Sequence, residues 1–196
     1  MPDLRFPEFK NSGEWEEKKL GDILVESRIP GSQGSIAKKI SLKLWGKGVT
    51  IKKENILGSN NTKYYIRKKG QFIYSKLDFL NQAFAIIPDE FDGFETTTDL
   101  PCFDVSKLIN KFFLLEFIKL PNIYKTYGVL FANGGRKAKR VQVKDFLKIK
   151  ILVPIYKEQQ KIADFLSSVE KLIIEQVEKI QLLQEYKKGL LQKLFL

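Results

Sequence analysis

The chain has 196 residues, 43% of them apolar, with a formal net charge of +11 and no histidine. That supports a sizeable folded core and argues against a disordered chain. It also removes histidine-based acid/base work, nucleophile activation and metal ligation together. One cysteine, Cys102, allows neither an internal disulfide nor a thiolate metal cluster, and fits a reducing compartment. The N-terminus lacks a basic-then-apolar signal pattern, and no apolar run approaches the roughly 18 residues of a membrane span. The expectation is a soluble, cytoplasmic protein with no membrane partner.

In chain order, a polar turn from Gly13 leads to a short helix or strand around Leu20 to Val25. Residues 30–35, Pro-Gly-Ser-Gln-Gly-Ser, read as a loop. Ile40, Leu42 and Leu44 alternate with Ser41 and Lys43, the period of a half-buried strand. Gly46-Lys47-Gly48 breaks it, and Val49-Thr50-Ile51 resumes extended structure. Tyr64-Tyr65-Ile66 and Phe72-Ile73-Tyr74 are strand-like by composition. Ala83 to Ile87, stopped by Pro88, reads as a buried strand. Residues 107–119 change period: Leu108, Phe112, Leu115 and Ile118 share one helical face, and Pro121 is expected to end that helix. Val143 to Leu147 suits one helical turn, and Ile149 to Val153 a last strand stopped by Pro154.

Residues 158–195 differ in kind. They contain no proline and one glycine, Gly189. Ile162, Val169, Gln176, Leu183 and Leu190 sit seven apart, as do Leu166, Ile173, Ile180, Lys187 and Leu194. Eight of these ten positions are apolar, a coiled-coil seam held for about five heptads. Such a helix extends roughly 55 Å, too far to bury its seam on its own small domain. The chain offers no second long helix, so the partner is another copy or another subunit. The expected interface comprises Ile162, Leu166, Val169, Ile173, Gln176, Ile180, Leu183, Leu190 and Leu194. The fold expected is α+β: a mixed α/β globular domain over 1–157, then a long C-terminal coiled-coil helix over 158–196.

Charge follows the same division. Residues 158–196 hold six lysines and six acids, so the excess charge lies in residues 1–157. Residues 38–76 carry eleven basic groups and one acid, and residues 125–150 carry eight and one. Residues 77–104 between them carry seven acids and no base. A basic domain joined to a neutral helix suits a polyanion such as double-stranded DNA. The segment Asn133-Gly134-Gly135-Arg136-Lys137-Ala138-Lys139-Arg140 is the leading contact. Glycine lets backbone amides approach phosphate, Arg and Lys neutralise it, and Arg or Asn can read guanine or adenine. Lys47, Lys63, Tyr64 and Lys76 complete the DNA-contact set. A solvated basic surface is the alternative reading, as is a scaffold that holds any polyanion.

Catalytic motifs are missing. The sequence has no Gly-x-x-x-x-Gly-Lys-Ser/Thr loop, no glycine-rich S-adenosylmethionine loop and no Asn/Asp-Pro-Pro-aromatic motif. Pro2-Asp3 with Glu16-Glu17-Lys18 matches a restriction-nuclease pattern on paper, as chance would allow in a chain rich in Glu and Lys. Asp89-Glu90-Phe91-Asp92 lacks calcium-loop spacing. No catalytic residue and no metal ligand is expected.

Four segments together resemble one family. They are Arg5 to Phe9 with Trp15 to Asp22; Gly70 to Asp78; Val153-Pro154 with Glu158 to Ser168; and Lys187 to Phe195. The chain resembles the specificity subunit of type I restriction–modification enzymes. The resemblance implies a target-recognition domain followed by a spacer helix. A full subunit has two of each, with the helices paired antiparallel as a ruler between two half-sites. It implies no catalysis in this chain and docking of methyltransferase and restriction subunits. S-adenosylmethionine, ATP and Mg would be bound by those partners, leaving this chain without a cofactor. One recognition domain and one helix make half of that pattern, either a natural half-length product or part of a longer chain. The helix would then pair with a second copy or with a different half.

Overall fold

The structure is a computed structural model that describes residues 2–53, 59, 61–133 and 140–195, the side chains of Ala132 and Asn133 excepted. The α+β expectation holds: short antiparallel strands and three short α-helices precede one helix of 40 residues. The strands are β1 (Glu16–Lys19), β2 (Leu24–Ser27), β3 (Ile29–Pro30), β4 (Ile40–Leu42), β5 (Val49–Ile51), β6 (Tyr65–Ile66) and β7 (Phe72–Tyr74). They continue with β8 (Phe84–Ile86), β9 (Glu95–Thr96), β10 (Cys102–Val105), β11 (Ala132–Asn133), β12 (Arg140–Val141) and β13 (Lys150–Val153). The helices are α1 (Lys111–Ile118), α2 (Pro121–Phe131), α3 (Val143–Phe146) and α4 (Tyr156–Phe195).

The central sheet is antiparallel in the order β2-β10-β7-β8. Its middle strand β7 is buried on both faces, which is why Phe72-Ile73-Tyr74 carries no charged residue. Phe72 and Tyr74 point into the main core, and Ile73 joins Ile40, Ala85, Ile87 and Cys102 in a second cluster. The main core is aromatic. Tyr74 and Phe146 stack with centroids 4.3 Å apart, and Phe79 and Phe103 close around them. The buried Tyr74 hydroxyl donates to the Val141 carbonyl at 3.1 Å, as a phenol in such a core must. Cys102 lies wholly inside, where burial pushes its thiol up to about 12 and the nearby Arg67 cation acts in the opposite direction. It is an inert packing residue.

The region after β10 departs from the pattern read in the sequence. The Asn110 side chain accepts from the Phe112 and Phe113 amides at 2.9 and 3.1 Å and so caps α1. Leu108 is therefore outside the helix and 69% exposed, and Phe112 is 46% exposed. The buried face is Phe113, Leu114 and Ile118. The segment is apolar nearly all round, so spacing alone could not choose the face. α1 ends at Ile118, ahead of Pro121 as expected, but Pro121 also opens α2, where its fixed φ and missing N–H suit a first turn.

The long helix starts at Tyr156, two residues before the expected boundary, and its first turns belong to the globular core. Glu158, Gln159 and Ala163 are buried. Arg5 grips the Glu158 carboxylate through Nε at 2.8 Å and Nη2 at 2.7 Å, and also donates to the Gly13 carbonyl at 2.8 Å. Gln159 accepts from the Asn110 amide at 2.7 Å and donates to the Pro154 carbonyl at 2.9 Å. Gln160 accepts from the Asn110 side chain at 2.7 Å. Strand β1 pairs with β13, Glu16 opposite Val153, and holds the N-terminal segment beside this junction.

Arg67 is the other buried anchor, 2% exposed. Its guanidinium donates to Thr96 Oγ1 at 2.7 Å and to the carbonyls of Ser27, Leu100 and Thr97 at 3.0, 3.2 and 3.4 Å. Burial pushes its pKa down, and the ring of acceptors compensates the lost water. It thereby joins the end of β2 to the segment between β9 and β10. Replacing Arg67 with Met should orphan these acceptors and cost about 2–4 kcal/mol in urea denaturation. A loss below about 0.5 kcal/mol would remove Arg67 from the fold's supports.

Candidate nucleic-acid interface

The turn that follows β7 organises the basic surface. Ser75 N–H donates to the Ala83 carbonyl at 2.8 Å and closes the turn. Inside it, Ser75 Oγ accepts from the Asp78 amide at 3.1 Å, and Asn81 Nδ2 donates to Asp78 Oδ1 at 3.3 Å. Lys76 is held on both sides by its backbone. Its N–H donates to the Asp99 carbonyl at 3.0 Å, and its carbonyl accepts from Val141 N–H at 2.9 Å.

This arrangement gathers three cations that are far apart in sequence. Partial burial pushes the Lys76 pKa down; Asp99 and Glu26 push it up, and Arg28 and Arg140 push it further down. Arg28 pairs with Glu26 at 2.9 Å, chiefly through a hydrogen bond that raises its own pKa. Arg140 Nε lies 3.7 Å from Asp99 and finds no hydrogen-bond partner among the described residues. Three cations thus share two carboxylates, and a half-desolvated ammonium stands among them. A phosphate oxygen, or the acceptor edge of a guanine, would supply what that group lacks.

The structure joins two of the expected contacts directly, Lys76 and Arg140. Lys47 is exposed at the tip of the β4–β5 hairpin. That hairpin rests on the same turn, with Trp45 N–H donating to the Asn81 carbonyl at 2.7 Å and Gly46 N–H to the Gln82 carbonyl at 2.9 Å. Lys63 is exposed just before β6, on the edge sheet β3-β6-β9, and no described contact ties it to this group. Tyr64 is 8% exposed, with Lys39 5.2 Å from its ring centroid, so its ring is packed into the domain and little of it reaches the surface. Arg136, Lys137 and Lys139 lie outside the described residues, as does the Asn133 side chain. Arg28 and Asp99 went unread in the sequence. Neither stands in a basic run, and only the pairing of β2 with β10 and the Arg67 bridge bring them here.

On the helix, Val169, Ile173, Ile180, Leu183, Leu190 and Leu194 are all more than a third exposed, and Gln176 is exposed with them. Ile162 differs: it packs on the domain's own core, and with Leu166 it lines an apolar groove of about 370 Å³ beside Trp15 and Phe113. The first heptad position therefore belongs to the domain. The stripe beyond is wider than a two-helix seam, because Leu172, Val177, Tyr186 and Leu191 flank it, each about half exposed or more. No helix among the described residues is long and apolar enough to cross a membrane.

If the three cations meet DNA phosphates, changing Arg28, Lys76 and Arg140 together to Ala should lower the slope of log K against log salt by about 0.9 for each phosphate no longer neutralised. An unchanged slope in a filter-binding titration would move the DNA-binding surface elsewhere.

Comparison with known proteins agrees with this architecture. The chain is similar in fold to the HsdS subunit from Thermoanaerobacter tengcongensis, with a TM-score of 0.65 at 15% identity, covering 97% of this chain and 50% of that one. It is similar to the S subunit of a type I restriction-modification system from M. genitalium, with a TM-score of 0.58 at 12% identity, covering 99% and 48%. A third similar chain comes from a structure described as the basis of complex assembly and conformational transition of the type I R-M system. Its TM-score is 0.59 at 17% identity, with 98% and 49% covered. The chain therefore spans about half the length of these solved relatives. Comparison with curated proteins finds no match. Residues 12–185 match the family described as the type I restriction modification DNA specificity domain, and the chain belongs to that family.

Proposed function

We propose that this chain reads one half of a split site on double-stranded DNA and positions catalytic subunits there. The observation that carries the reading is the division of the molecule. A basic domain presents the Arg28–Lys76–Arg140 group, and a nearly charge-balanced helix of 40 residues runs out from it with apolar side chains in solvent. Exposed apolar surface on this scale calls for a protein partner. The width of the stripe suits two kinds of partner: a second helix along the seam, and methyltransferase subunits along its flanks. Restriction subunits would join through that assembly. Methylation and cleavage, with S-adenosylmethionine, ATP and Mg, would belong to those subunits, and this chain would bind no cofactor. Its place would be the cytoplasm, with the DNA.

Self-pairing by a two-fold axis would give each domain the same half-site on opposite strands. The test is reconstitution with methyltransferase subunits and S-adenosylmethionine, followed by sequencing of the modified bases. The expected product is an interrupted palindrome whose spacer is fixed by the paired helices. An asymmetric site from a pure single-chain preparation would overturn the symmetric pairing, and methylation by the chain alone would overturn its non-catalytic role.

The pairing itself has a direct check. Ile173 and Ile180 are 52% and 55% exposed on the lone helix. Changing both to Asp would put charges into the paired seam at a cost above ~2 kcal/mol. Light scattering at micromolar concentration should then report a monomer where the unaltered chain is a dimer.

A further inference from the structure

Two residues other than glycine have left-handed backbone among the described residues, Trp45 with φ 63° and Gln82 with φ 52°. A side chain with a Cβ is disfavoured there, and a bulky one is a true outlier. The two positions are connected. Trp45 N–H and Gly46 N–H bond the carbonyls of Asn81 and Gln82, at 2.7 and 2.9 Å. The hairpin tip is thus fastened in its strained form to the closed turn that begins at Ser75 and Lys76. Gly46 and Gly48 are left-handed as well, with φ 65° and 85°, so the sequence supplies glycine on one side of Trp45 and withholds it at Trp45 itself.

The side chain held at this cost is 57% exposed. Core packing therefore does not explain a tryptophan here. Lys43 and Lys47 are exposed on either side of it, and the Lys119 side chain passes over Gly46, whose Cβ would meet Lys119 Cε at 3.2 Å. An aromatic ring inside a rim of lysines, fixed to the turn that carries Lys76, matches a nucleic acid: charge for the phosphates, a flat apolar face for bases or sugars. Strained backbone of this kind persists where the surrounding structure fixes it, typically at binding sites.

We infer that Trp45 is an apolar DNA contact, packing its indole against bases or sugars in the groove next to the phosphates held by Lys76. This rests on the DNA-reading role proposed above. Removing the ring should then weaken DNA binding while every phosphate stays neutralised as before.

The experiment uses the full chain and a duplex selected from a randomised pool. Trp45→Ala should lower affinity at least about fivefold, the lower bound for one stacked base, with the salt slope unchanged. Trp45→Phe should retain most of the affinity. Trp45→Gly relieves the left-handed strain, so its melting temperature should equal or exceed that of the unaltered chain while its affinity falls as for Ala. DNA should also shield the exposed tryptophan of the unaltered chain from acrylamide quenching. If Trp45→Ala and Trp45→Gly fold and bind the duplex as the unaltered chain does, the Trp45 assignment falls and the DNA-reading role stands. If the unaltered chain binds no duplex, both fall. Undiminished DNA affinity together with abolished methyltransferase binding would make Trp45 a protein contact and overturn the inference.

Discussion

Everything in this molecule depends on how the first turn of α4 is fastened. Three consecutive side chains, Glu158, Gln159 and Gln160, take partners from distant parts of the chain. Arg5 and Trp15 reach Glu158 from the N-terminus, while Asn110 from the cap of α1 meets Gln159 and Gln160. Each buried polar group is satisfied by the others, so the junction tolerates one geometry. Phe6 extends the contact by one more turn, packing edge-on against Phe165 with centroids 5.8 Å apart. Beyond that point the helix leaves the domain.

Arg67 and Lys76 show how one chemistry serves two ends. Arg67 is enclosed by carbonyl and hydroxyl oxygens and works as a fold element. Lys76 is half-enclosed among groups of its own sign and two shared carboxylates. The first cation is enclosed by acceptors of its own chain, and the second stands partly open beside two carboxylates that other cations share. They are also mechanically related. Arg67 fixes the Ser27 and Thr97–Leu100 backbone, and those segments carry Arg28 and Asp99 to Lys76.

What the sequence made legible follows from what is local. The strands at Ile40, Phe72–Tyr74, Ala83–Ile87 and Ile149–Val153 show in alternation or in short apolar runs, and the structure has each of them, within a residue or two. The long helix shows in its heptads. Where apolar residues crowd every face, as in residues 112–118, periodicity loses its meaning, and the cap at Asn110 decides instead. Pro121 is locally ambiguous, since the residue that ends one helix can begin the next. Ile162 keeps the heptad register although it faces its own domain, so the pattern runs past the true edge of the free helix. Lys76 and Arg140 stood out by charge, but their proximity comes from β7 and β12 meeting across the core. Arg28, Asp99 and the conformation of Trp45 are wholly tertiary and leave no trace in spacing or composition.

A rod fastened at one end is also a lever. At 1.5 Å per residue α4 reaches about 60 Å from its junction. A tilt of about 5° at Glu158 would displace the far end by about 5 Å, more than the roughly 3.4 Å that separates successive base pairs along DNA. Wherever the tip engages a counterpart, angular slack at the root becomes positional error, and the error grows in proportion to distance. The dense polar packing around Glu158, Gln159 and Asn110 can thus be understood as a tolerance specification: stiffness concentrated where a degree of rotation matters most, and the exposed remainder left to be straightened by whatever lies alongside it.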